Sequence, residues 1–153
     1  MKIYNVLKNI NNKLKNINNK IESRDYIVEE GISGNWYYRK WASGVAECWF
    51  TAPIQRTINV TGKWSTSTLY YSTLYQTYYD YPSGLFIQAP IVTALVDATP
   101  MSVWLMPVAT DGYQGTKDHT PYYHYVRVDS VTNVKVYDMF EAKGFWKTYT
   151  PIS

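Results

Sequence analysis

Residues 8–21 are two near-copies of one seven-residue phrase. Lys8-Asn9-Ile10-Asn11-Asn12-Lys13-Leu14 is followed by Lys15-Asn16-Ile17-Asn18-Asn19-Lys20-Ile21, and only the last residue changes. Apolar side chains fall at Ile3, Leu7, Ile10, Leu14, Ile17 and Ile21, at spacings that alternate four and three. A helix with that pattern carries the narrow seam of a left-handed coiled coil, with Leu7, Leu14 and Ile21 at a and Ile3, Ile10 and Ile17 at d. The register reaches Val28, with Arg24 as its one polar interruption. Asn and Lys fill the other positions of the two copies. Asn costs about half a kcal/mol per position relative to Ala in a helix, so this segment hardly persists alone in water. It needs partner helices.

A helix that docks on its own domain normally shows three or four apolar residues per two turns. The two-in-seven stripe here favours self-association instead. Ile-rich a and d positions favour more than two strands, and a homotrimer is the expected state, with a tetramer left open.

Beyond about Asp25 the pattern changes. Trp36-Tyr37-Tyr38-Arg39-Lys40-Trp41 and Val45-Ala46-Glu47-Cys48-Trp49-Phe50 flank a three-residue turn ending in Gly44, which reads as a β-hairpin. Further strands are expected at 57–61, 69–75, 91–96, 102–106, 123–128 and 131–137. Turn residues separate them: Gly62, Pro82-Ser83-Gly84, Thr99-Pro100, Asp111-Gly112, Pro121 and Gly144. Short strands at this spacing with no second helical pattern predict a mainly β chain. Its expected form is a coiled-coil helix (residues 1–28) followed by an antiparallel, jelly-roll-like β-sandwich head (residues 29–153).

Charge and composition narrow the function. The net charge is +3, but residues 1–24 hold six basic side chains against one acid, and the rest hold nine against eleven. A nucleic-acid-binding body carries its positive charge on one folded face, so no nucleic-acid partner is expected. No apolar run is long enough to span a bilayer, and the N-terminus lacks the apolar core of a signal peptide, so the chain reads as soluble and unexported. The single cysteine, Cys48, rules out an internal disulfide and reads as an inert strand thiol.

Catalytic constellations are sparse. His119 and His124 read as loop or edge residues rather than as ligands shared about a symmetry axis. Asp111, Asp118 and Asp129 could supply a glycosidase-like carboxylate pair, but acids pair by chance in such a chain. No enzyme, metal or cofactor is expected. The informative feature is 16 tyrosines. Tyr70, Tyr71, Tyr75, Tyr78, Tyr79 and Tyr81 form one group; Tyr113, Tyr122, Tyr123 and Tyr125 form another. Tyrosine offers an apolar ring and a hydroxyl at low entropy cost, which suits sugar or protein recognition. Tyr79, Tyr81, Tyr113 and Tyr122 lie in loop sequence and are the expected exposed ligand-binding residues.

The stretch Gly34-Asn35-Trp36-Tyr37-Tyr38-Arg39-Lys40-Trp41-Ala42-Ser43-Gly44-Val45-Ala46-Glu47-Cys48-Trp49 resembles a block in small phage and prophage fibre or tail proteins. Their C-terminal β-domain opens with a Trp-x-Tyr-Arg-Lys-Trp…Glu-Cys-Trp hairpin. Tyr81-Pro82-Ser83-Gly84-Leu85-Phe86 with Pro90 is similar to the middle of that domain. Ala142-Lys143-Gly144-Phe145-Trp146-Lys147 resembles its end, with Phe145 where Arg is usual. The resemblance implies a virion head or tail fibre, a trimer attached to other virion proteins through its N-terminal segment. Its head would bind a bacterial surface glycan or protein. A decoration protein contacting other virion proteins, or a glycan depolymerase, are the alternatives.

Overall fold

The computed structural model describes residues 2–22, 25–72, 78–99, 103–108 and 114–148. It is mainly β, with one helix and one antiparallel sheet. Helix α1 spans Lys2–Glu22. Nine strands follow: β1 (Ile27–Ser33), β2 (Trp36–Trp41), β3 (Val45–Phe50), β4 (Ile54–Lys63), β5 (Tyr70–Ser72), β6 (Ile91–Thr99), β7 (Trp104–Pro107), β8 (Tyr123–Arg127) and β9 (Val131–Phe145). Val28 lies in β1, so the heptad register stops short of it. Among the described residues α1 packs on no strand, and its seam residues Leu7, Ile10, Leu14 and Ile17 are 49 to 60% exposed.

The 15-residue strand β9 organises the sheet. Along one edge it pairs first with β4, from Val60↔Val131 to Ile54↔Asp138, and then with β3, from Trp49↔Glu141 to Val45↔Phe145. Strands β3 and β4 thus run end to end, interrupted only at residues 51–53. The other edge of β9 pairs with β6 over Ile91↔Lys143 to Thr99↔Lys135. The sheet continues outward through β2 and β1 at one end, and through β5, β8 and β7 at the other.

Strand β7 returns beside β6, with no hydrogen-bonded ladder between them among the described residues. The two-sheet sandwich expected from the sequence is therefore one continuous sheet that curls on itself. The cause is strand length: β9 and the β3–β4 run are long enough to serve both layers, and a long twisted sheet coils.

Alternation puts Val134, Val136, Asp138, Phe140 and Ala142 of β9 inside and Lys135, Met139, Glu141 and Lys143 outside. Two core clusters result. One joins Val60, Val103, Tyr125, Val134 and Val136. The other is aromatic: Trp36, Phe50, Tyr81, Phe86, Tyr123 and Phe140, with Ala46, Cys48, Leu85 and Ala142. Phe50 is its hub, with ring centroids 4.4 Å from Trp36, 4.8 Å from Tyr79 and 5.5 Å from Phe140. Such pairs add about 0.5–1.5 kcal/mol each beyond area burial. Cys48 is buried at the centre of β3, and burial pushes its thiol far above the usual range, so it is inert.

The expected hairpin is present as β2–β3, turning at Gly44 with φ +98°. A side chain there would meet Lys147 at 3.1 Å, so glycine fits on two grounds. The outer face of this region is polar. Glu30, Arg39, Glu47 and Lys143 stand opposite one another across β1, β2, β3 and β9 as a ladder of alternating charge. Beyond it, the outer faces of β6 and β9 expose Ile91 at 81% and Leu95 at 64%, with Met139 beside Leu95.

Candidate functional site

The β1–β2 hairpin sets the position of the site. The described head begins at Asp25 beside Ile27, where Tyr26 O accepts from Ala42 N–H and Asp25 takes both the N–H and the hydroxyl of Ser43. Seven residues of strand, about 20 Å at 3.3 Å per residue, carry β1 from there to the turn at Gly34-Asn35. The loops that meet this turn therefore lie at the end of the hairpin opposite Ile27.

Two loop segments are zipped together there. Asp80 and His119 form an isolated antiparallel bridge. Tyr81 N–H donates to Asp118 O at 2.8 Å, Thr120 N–H donates to Tyr79 O at 3.0 Å, and Tyr79 N–H donates to Thr120 Oγ1 at 3.0 Å. Trp36 Nε1–H donates to Asp80 O at 2.7 Å and ties the pair to β2. A polar groove of about 300 Å³ results, with Ser33, Asn35, Asp80 and Pro82 on its walls and Tyr79 and Tyr81 behind them. Beside it, the exposed Tyr78 ring lies 4.7 Å from Tyr122 and 5.1 Å from His119. His119 Nδ1–H donates to Thr120 O at 2.8 Å, which fixes the imidazole in this patch. The result is an aromatic platform next to an exposed carboxylate, a combination that can stack on a ring and accept hydrogen bonds from its hydroxyls.

The four tyrosines expected to be exposed divide four ways. Tyr122 is half-buried within the platform. Tyr81 is only 6% exposed and packs on Trp36 and Phe86, so its expected exposure is corrected: it belongs to the core. Tyr79 is half-buried, with its hydroxyl turned inward to donate to Asp138 Oδ2 at 2.8 Å. Tyr113 lies outside the described residues. The reason is alternation: along 78–81 the backbone is extended against 118–120, which sends the rings of Tyr79 and Tyr81 inward and leaves Tyr78 and Asp80 exposed. Tyr78 was legible as one of the tyrosine group, but its orientation depended on that long-range pairing.

The other candidates separate as well. His124 is buried in β8, not in a loop, and its Nδ1–H donates to Ser72 O at 3.1 Å. Asp118 pairs with Lys117 and Asp129 with Arg127, while Asp111 is outside the described residues. Among the described residues no three His, Cys, Asp or Glu side chains converge on a common point. Among the described residues no helix is long and apolar enough to cross a membrane. Comparison of the chain with protein-family models, with curated proteins and with solved structures returns no match.

Proposed function

We propose that the chain is a small phage fibre protein: three copies joined through α1, with heads that attach to a component of the bacterial surface. One observation carries the reading. The molecule joins a helix whose apolar seam faces water to a β-head whose aromatic platform lies at the far end of the β1–β2 hairpin from Ile27, the strand residue nearest the helix in the chain. An unpartnered seam of this kind is stable only when copies of itself cover it. The exposed Ile91, Leu95 and Met139 on the head supply further apolar surface for a neighbouring head. The resemblance of residues 34–49 to phage fibre proteins supports the virion assignment, and an N-terminal attachment to other virion proteins goes with it.

The receptor class is a glycan. Tyr78, Tyr122 and His119 offer stacking faces, and Asp80 and Asn35 offer hydrogen-bonding groups beside them. Three heads on one stalk convert weak single-site affinity into durable attachment. The role is binding, without catalysis or cofactor. Labelled protein applied to a panel of bacterial strains tests it. Wild-type protein should coat at least one strain, and Tyr78→Ala with Tyr122→Ala should lower that binding about tenfold or more while the solution mass stays the same. Equal coating by the double variant would remove the platform from the receptor site.

A further inference from the structure

The β4–β5 hairpin carries a second recessed surface. Its turn is closed at both levels: Trp64 N–H donates to Leu69 O at 3.0 Å and Ser67 N–H donates to Trp64 O at 2.9 Å. Ser65 sits in the left-handed region at φ 49°, uncommon for a residue with a side chain. This turn holds Trp64 at 43% exposure, although its ring is large enough to earn burial elsewhere in so aromatic a chain. The indole is steadied edge-on by Tyr71 at 5.7 Å, and Tyr71 is steadied in turn by the buried His124 at 5.2 Å. Together with Lys63 and Ser65 these side chains line a cleft of about 260 Å³.

The chemistry of the lining selects its ligand. The volume falls below that of sites for drug-sized molecules and suits a single ring. Trp64 offers a flat apolar surface for the C–H face of such a ring. Ser65 can donate or accept. Lys63 brings a positive charge, and among the described residues no carboxylate lines the cleft to neutralise it. We propose that this cleft binds one pyranose ring bearing a carboxylate, a uronic or sialic acid unit of a surface polysaccharide. The assignment rests on the cleft alone and stands apart from the virion reading.

Saturation-transfer NMR on the full chain tests it, with methyl β-glucuronide, methyl galacturonide and a methyl sialoside as probes and methyl β-glucoside as the neutral control. At least one acidic probe should receive saturation from the wild-type protein, and the neutral control should receive much less. Trp64→Ala should abolish the transfer, and Lys63→Gln should weaken binding about tenfold, the loss of one ionic contact. Because Trp64 and Lys63 are exposed, both variants should keep the wild-type melting curve. Transfer that survives Trp64→Ala, equal binding of the neutral glucoside, or no transfer from any acidic probe would each overturn the assignment.

Discussion

Asp138 is fully buried in β9, where its Oδ2 accepts from the hydroxyls of Tyr125 at 2.6 Å and Tyr79 at 2.8 Å, with Arg56 Nε at 3.6 Å. Its Oδ1 has no hydrogen-bond partner among the described residues. Burial raises its pKa above the ordinary carboxylate range, against the lowering effect of the two hydroxyls and Arg56. The folded chain therefore keeps this proton to higher pH than the unfolded chain does. Its contribution to stability is full below the unfolded value and declines as pH rises through the folded one. Asp138→Asn removes that decline. The unfolding free energy of the variant minus that of the wild type should become more positive as pH rises above the ordinary carboxylate range, read by denaturant titration; a constant difference would mean that Asp138 titrates normally. At the same scale Phe140→Ala should cost about 3–5 kcal/mol, because Phe140 packs on Phe50, Tyr79 and Tyr123. A loss under about 1 kcal/mol would show that the aromatic cluster repacks freely. None of this was readable in sequence. Tyr79 and Asp138 are 59 positions apart, and a tyrosine in loop-like sequence gives no sign that its hydroxyl is claimed by a buried acid.

The elements were more legible than the residues that join them. The heptads marked α1, and the Trp36–Phe50 hairpin was readable because two alternating runs flank a glycine turn. Strand β1 was missed, since Ile27-Val28-Glu29-Glu30-Gly31-Ile32-Ser33 has acids and a glycine at its centre; those acids are satisfied by Lys40, Tyr38, Arg39 and Tyr37 across the pair. The extent of β9 was also hidden. Gly144 looks like a turn residue, yet it lies in the strand because Phe86 and Pro90 press within about 3.0 Å of where a side chain would be. For α1 the physics is decisive at this scale. A peptide of residues 2–22 should be largely unfolded when dilute and gain helical circular dichroism at 222 nm as its concentration rises, in the manner of an associating coil. Helicity that does not change with concentration would contradict the seam reading.

Across the whole molecule, one long strand decides the architecture. Because β9 pairs with β3 and β4 on one edge and β6 on the other, the head is a single coiled sheet, and the sandwich expected from strand spacing is not needed to bury both cores. Eight of the nine described strands and their antiparallel pairing were visible in the periodicity, while the curl was not, since it depends on which strands share an edge. The same topology separates Ile27 at one end of the β1–β2 hairpin from the loops that hold Tyr78 and Asp80, a separation that the proposed attachment role requires. The central claim, that three chains join through α1, is tested most directly by light scattering on the full chain and on its Ile10→Asp/Ile17→Asp variant. The account predicts about 53 kDa for the wild type, three times 17.8 kDa, and a lower mass for the variant. A wild-type mass of 17.8 kDa across micromolar concentrations would contradict it, because the seam of α1 would then have no copy to cover it.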